Sequence, residues 1–312
     1  MRMHRFQLAA LVAAGSLLAA IPALAADSNQ QQQGSAVITL LPGNEVPGGI
    51  PQDALHLKVD GKDSTITGWS ALRGPSSTVE MVILIDDGAR QNLGVQLPDI
   101  AKFIQALPPN AKVAVAYMEN GRAAFAGPLS TDRVAAAREL HLPSGGSGVS
   151  ASPYFCLSDL AKHWPSSDAH ARREVIAVTD GVDYYNMRYD PEDPYVQAAI
   201  EDSVRAHLIV YSIYWRNSGL ADRTSYAAFS GQGLLAELTD ATGGNSYWQG
   251  TGNPVTFQPY LDDIGRRLDN QYELDFMTPV GDKPQMANLK LKVAAQVKFD
   301  APQQVYVHPV AQ

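Results

Sequence analysis

One cysteine, Cys156, occurs in 312 residues. A chain so poor in cysteine has no internal disulfide framework, so its stability must come from a hydrophobic core. Basic residues are also scarce, 24 against 32 acidic ones. That balance excludes a role built on the nucleic-acid backbone or on an anionic membrane as the general partner. After the first 25 residues no apolar run approaches membrane-spanning length. Three enzyme signatures are missing as well: the Gly-x-Ser-x-Gly elbow, His-Glu-x-x-His and the phosphate loop Gly-x-x-x-x-Gly-Lys. The seven histidines are scattered. The expectation is a protein that is not an enzyme and takes no cofactor.

Residues 1–25 read as a secretory signal peptide. Arg2 and Arg5 precede an apolar stretch from Leu8 to Leu24, and Ala23-Leu24-Ala25 is a small-x-small cleavage signature. Ala26 rather than Cys follows the cut, which argues against a lipid anchor. The mature chain then carries 22 basic and 32 acidic residues, a net charge of −10. Export to the periplasm or beyond, without membrane insertion, is the expected localisation. Residues 26–34, with Gln30-Gln31-Gln32-Gln33, are expected to be a disordered leader.

The rest divides by pattern. Residues 35–78 form a β segment: Ala36–Leu41 is a strand, and Leu55–Val59 alternates as a half-buried strand does before an Asp60-Gly61 turn into Ser64–Thr67. Residues 79–271 alternate strands and helices, the signature of a doubly wound, mostly parallel sheet with helices on both faces. Residues 272–312 return to strands, which are expected to pair with the N-terminal segment as a small β module.

Two blocks in the middle domain carry the functional signal. Val82-Ile83-Leu84-Ile85-Asp86-Asp87-Gly88-Ala89-Arg90 and Val175-Ile176-Ala177-Val178-Thr179-Asp180-Gly181 are continuous apolar runs that stop at Asp and Gly. Runs of this kind are strands buried on both faces, and their carboxylates meet at the carboxyl edge, where open α/β sheets bind ligands. With the order of elements and the late Tyr272-Glu273-Leu274 strand, these blocks make the chain resemble a von Willebrand factor type A domain, in particular a group found in secreted acidobacterial proteins. The likeness spans roughly residues 36–308.

The resemblance implies a metal-ion-dependent adhesion site, in which Asp-x-Ser-x-Ser, a Thr and a later Asp hold Mg²⁺. A small, hard cation needs such an all-oxygen shell. Asp86 matches the first Asp and Asp180 the last, with Ser150 or Ser152 in the place of the Thr. Gly88 and Arg90, however, stand where the two Ser hydroxyls belong. The site reads as degenerate, with Arg90 either pairing with Asp86 or Asp180 or pointing to solvent.

The loops at that edge are rich in recognition residues: Asp183, Tyr184, Tyr185 and Tyr189 after one strand, Trp215 after the next. The acids Asp183, Asp190, Glu192 and Asp193 lack the spacing of a calcium loop. The expected function is metal-free binding of a protein or cell-surface glycan. Asp86, Arg90 and Asp180 would form the floor, and the aromatic residues the rim. A Mg²⁺-dependent adhesion protein and a hydrolase of cell-surface polymer are the alternatives.

Overall fold

The computed structural model describes residues 31–41, 49–74, 77–89, 93–143, 152–168, 170–183, 185, 186, 189, 190, 192–216, 225–294 and 297–310. The expected signal peptide, most of the expected leader, Arg90, Ser150 and Tyr184 lie outside them. The strands are β1 (Gln32–Leu40), β2 (Leu55–Val59), β3 (Lys62–Ala71), β4 (Val79–Asp86), β5 (Lys112–Glu119), β6 (Arg122–Phe125), β7 (Arg172–Thr179), β8 (Leu208–Tyr214), β9 (Ser246–Tyr247), β10 (Gln271–Thr278), β11 (Gln285–Val293), β12 (Phe299–Asp300) and β13 (Gln304–Pro309). The helices are α1 (Leu97–Ala106), α2 (Arg133–Arg138), α3 (Pro153–Lys162), α4 (Pro194–Arg205), α5 (Ser225–Thr242) and α6 (Gln258–Leu268).

The middle domain is a six-stranded sheet ordered β6-β5-β4-β7-β8-β9. All its pairings are parallel except β5–β6. That one exception is a hairpin whose tip, Asn120-Gly121, has both residues at positive φ. Successive side chains of β4 serve opposite faces. Met81, Ile83 and Ile85 pack with Ile100 and Ile104 of α1, Ala136 of α2 and Leu261 and Ile264 of α6. Val82 and Leu84 pack with Leu157 of α3, Ile200 of α4 and Leu238 of α5. Strands covered on both sides have to be apolar at every position, and β4 and β8 are buried throughout.

The two ends of the chain form a second sheet that closes on itself. The order runs β10-β3-β2-β11-β13-β1, and β1 pairs again with β10, all antiparallel, while β12 adds to the end of β1. Each of these six strands has a neighbour on both sides, although β13 meets β1 only at Gln32 and Gln33. The inside is filled by Ile38, Leu57, Val59, Leu274, Phe276 and Val307, all buried. The sequence pattern predicts a small β module but not its closure. It also misplaces the end of the leader, because Gln32, Gln33 and Gly34 belong to β1. Gln32 is fully buried; its Nε2 donates to the Lys283 carbonyl at 2.7 Å, while its Oε1 has no hydrogen-bond partner among the described residues.

The closed sheet meets the domain at the amino ends of the parallel strands. There Arg172, at the start of β7, donates to the Leu268 carbonyl at 3.0 Å and to the side chain of Gln271 on β10. Gln271 in turn donates to the Tyr211 hydroxyl at 3.2 Å. The carboxyl edge therefore faces away from the barrel. No described helix is long and apolar enough to cross a membrane.

Candidate functional site

The site begins with register. Ile85 pairs with Val178 in the parallel β4–β7 ladder, so the next residues on the two strands, Asp86 and Thr179, emerge side by side. The Thr179 hydroxyl donates to Asp86 Oδ2 at 2.5 Å, and the Gly88 N–H donates to Asp86 Oδ1 at 2.8 Å. Both oxygens of this buried carboxylate are thus engaged within two strand ends. Thr179 Oγ1 also accepts the Gly181 N–H at 3.2 Å, and Asp180 Oδ1 accepts the Val182 N–H at 3.0 Å. Each Asp holds the turn that follows its own strand, as Asx residues do.

The turn after β7 is pressed onto α5. A Cβ at Gly231 would sit 2.0 Å from the Asp180 carbonyl oxygen, and one at Gly181, where φ is +67°, would sit 2.6 Å from the Gly231 carbonyl. Only glycine allows these backbones to approach so closely. From the α3 side, the buried Tyr154 hydroxyl donates to the Gly181 carbonyl at 2.8 Å. Burial pushes the Tyr154 phenol well up, and the charges of Asp180, Asp183, Glu237 and Asp193 add to it. Ser152 caps α3, accepting the Tyr154 N–H at 3.3 Å, and its hydroxyl also lies toward Asp183.

Three acids of the long β7–α4 loop are committed to backbone N–H groups. Asp183 Oδ1 accepts the Tyr185 N–H at 2.9 Å, and Asp190 Oδ1 accepts the Glu192 N–H at 3.0 Å. Asp193 caps α4 through the Tyr195 and Val196 N–H groups and takes a 2.7 Å bond from Asn186. Among the described residues, no group of three His, Cys, Asp or Glu side chains is placed to hold a metal ion.

Two residues expected from sequence to bind the partner, Trp215 of the rim and Asp183 of the loop, are buried. Trp215 is 1% exposed and packs edge-on against Phe257, ring centroids 5.3 Å apart, within the core under α6. The apolar run of β8 simply continues one residue past the strand. Asp183 is likewise buried and acts on its own turn. Tyr185 and Tyr189 are exposed; Tyr185 leans on Phe155 and Tyr195.

Further surface residues escaped the sequence reading. Among the described residues twelve large apolar side chains are exposed, and eight follow the carboxyl ends of parallel strands: Val95 after β4; Tyr185, Tyr189 and Tyr195 after β7; Tyr226 and Phe229 after β8; Trp248 and Val255 after β9. Tyr226 and Phe229 stand on the first turns of α5, not on a loop. Val255 is 87% exposed, yet its segment is braced. The buried Gln96 donates to the Val255 carbonyl and accepts the Phe257 N–H, both at 3.0 Å, while Gln232 donates to the Gly250 carbonyl at 2.6 Å. Exposed apolar residues are thus held on a braced loop.

No family profile and no curated protein matches the chain. Among solved structures it is similar to the conserved hypothetical protein BatB from Bacteroides thetaiotaomicron, at 17% identity over 61% of this chain and 97% of that one, with a TM-score of 0.46. It is also similar to the ArnB paralog VWA2 from Sulfolobus acidocaldarius (11% identity, 90% and 76% coverage, TM-score 0.39). A third is proximal thread matrix protein 1 from the mussel byssus, with a zinc-occupied MIDAS motif (11%, 68% and 49%, TM-score 0.38). Likenesses this distant bear on neither activity nor partner, and the fold class rests on the strand order itself.

Two outcomes follow from this geometry. Trp215→Ala should cost about 3–5 kcal/mol in urea denaturation, as loss of a buried ring does. Tyr185→Ala should stay within about 0.5 kcal/mol of the parent. Equal effects would place both rings in the same environment and contradict the assignment.

The second concerns pH. Burial raises the carboxyls of Asp86, Glu174, Asp183, Glu237, Asp240, Glu273 and Asp275, whereas hydrogen bonds from Arg267 and Tyr247 hold Asp263 down. A raised carboxyl binds its proton in the folded state before the unfolded one. Its stabilising share is therefore complete below the unfolded value and is lost as pH rises through the folded value. In a His207→Gln background, which removes a buried imidazole whose lowered value acts in the opposite direction, the urea midpoint should be higher at about pH 5 than at about pH 7.5; a lower midpoint at the acid end would refute the raised set.

Proposed function

We propose that the chain is an exported, non-catalytic module of von Willebrand type A character that binds a macromolecular partner through the carboxyl edge of its parallel sheet, without a metal ion. The observation that carries this reading is the gathering of eight of twelve exposed large apolar side chains at that edge. Monomeric surfaces seldom concentrate such residues without a partner to bury them.

Metal independence is supported by the donor set. An octahedral Mg²⁺ shell needs several free oxygens at near-ideal geometry. Gly88 brings no side-chain oxygen, and both Asp86 oxygens already accept hydrogen bonds from the protein. The residues present do not fit the ion, and the adhesion site is in this reading degenerate. Export is supported by the N-terminal sequence pattern.

The test is capture from an envelope extract of the source cells. The parent chain should retain its partner in EDTA, and a variant carrying Tyr185→Ala, Phe229→Ala and Val255→Asp should lose it, with Lys102→Glu on α1 as the control. Loss of the partner in EDTA, or full retention by the triple variant, would overturn the proposal.

A further inference from the structure

The barrel carries a charge pattern that its own stability does not favour. On β2 and β11 every second residue points inward, burying Leu55, Leu57 and Val59 on one strand and Leu289 and Leu291 on the other. The outward positions are His56, Lys58, Lys290 and Lys292, all exposed. The register sets Lys58 directly opposite Lys290 and His56 opposite Lys292. Like charges facing each other across an antiparallel pair are destabilising. Asp63 on β3 lies in the same row and pairs with Lys58 at 3.2 Å, through solvent-exposed side chains. Among the described residues no carboxylate stands within ion-pairing distance of Lys290 or Lys292. This concentration occurs in a chain of net charge −8, six of whose nine lysines fall in the barrel segments.

We propose that the outward face of the β2–β11 ribbon binds an extended phosphate polymer. Residues two apart on a strand project about 6.7 Å apart, and cross-strand partners about 5 Å. The four side chains thus form a flat basic grid that meets a repeating chain of negative charges at more than one point. Both strands have a neighbour on each side in the closed sheet, β13 meeting β11 over Gln285–Asn288. What the outward face of the ribbon offers is side-chain charge.

The residue types narrow the polymer. β2, β3 and β11 contain no arginine, and so lack the planar fork that grips carboxylate or phosphate in two-pronged fashion. Lysine ammonium groups bind phosphate as point charges. β2 and β11 also carry no Phe, Tyr or Trp, so nucleobases find only the His56 ring on which to stack. A backbone of phosphates without bases remains. The rest of the molecule's negative charge does not oppose this, because at about 0.1 M salt fields die away within about 10 Å. The site is independent of the carboxyl-edge surface, which lies beyond the opposite end of the parallel strands.

A polarisation titration with fluorescently labelled long-chain inorganic polyphosphate tests the proposal. The parent chain should bind, and more weakly as salt rises from about 50 to about 200 mM. Lys290→Glu with Lys292→Glu should reduce affinity roughly tenfold or more. The milder pair Lys58→Gln and Lys290→Gln keeps the test usable if the charge reversal impairs folding, and should also weaken binding. Lys102→Glu with Arg138→Glu, an equal change of net charge on α1 and α2, should change affinity less than about threefold. Absence of binding by the parent, equal loss in the helix control, or equal competition by poly-glutamate charge for charge would each overturn it.

Discussion

A single hydrogen bond between neighbouring strand ends organises the carboxyl edge: the Thr179 hydroxyl on the carboxylate of Asp86, at 2.5 Å and out of contact with water. It is possible because the β4–β7 register sets those two residues side by side. With the Gly88 N–H on the other oxygen, it satisfies a buried carboxylate that would otherwise be costly to hold. Burial still raises the Asp86 carboxyl, and these two bonds pull against that rise. The turns that leave β4 and β7 inherit their directions from this pair. Everything displayed above them, including Tyr185 and Tyr189, depends on where those turns point.

The second constraint is close packing beneath the loops. Gly231 of α5 admits the Asp180 carbonyl, and Gly233 admits the ring of Tyr189, which would lie 2.8 Å from a Cβ placed there. Tyr154 holds the same turn from α3. Gln96 and Gln232 hold the segment after β9 from α1 and α5. Two loops, β7–α4 and β9–α6, are in this way fixed to the helices that flank the sheet. A surface ordered before it meets a partner loses less conformational entropy on binding. The barrel occupies the other end of the domain, so a partner at the carboxyl edge and a polymer on the β2–β11 ribbon would not compete for space.

Much of this was written in local pattern. The runs ending at Asp86 and Thr179 are apolar at every position because both faces of the sheet are covered, and that signal needs no partner to be read. The Asn120-Gly121 turn, the Ser152 cap and the helix from Pro194 to Arg205 are likewise local. What escaped was nonlocal. Trp215 resembles a rim residue in sequence, and only Phe257, forty-two positions on, makes it core. Closure of the barrel depends on β1 meeting β10 and β13, strands from the far end of the chain. Gln96 is a polar residue whose burial is intelligible only beside the Val255 backbone. Ser230-Gly231-Gln232-Gly233 did carry a signal, since two glycines inside a helix weaken it unless close packing requires them. Reading it requires knowing what lies opposite.

The central claim is that the carboxyl edge is closed around Asp86 by protein hydrogen bonds and works without an ion. Its most direct test is the melting temperature of the chain in EDTA and then in Mg²⁺, Mn²⁺ or Ca²⁺. An ion bound only by the folded state, at 100 times its dissociation constant, adds about 2.7 kcal/mol. In a chain of this size that is a shift of roughly 4–5 °C. The account predicts melts that coincide within about 1 °C at millimolar metal. A clear rise with Mg²⁺ or Mn²⁺, abolished by Asp86→Ala, would contradict it and return the site to metal-dependent adhesion.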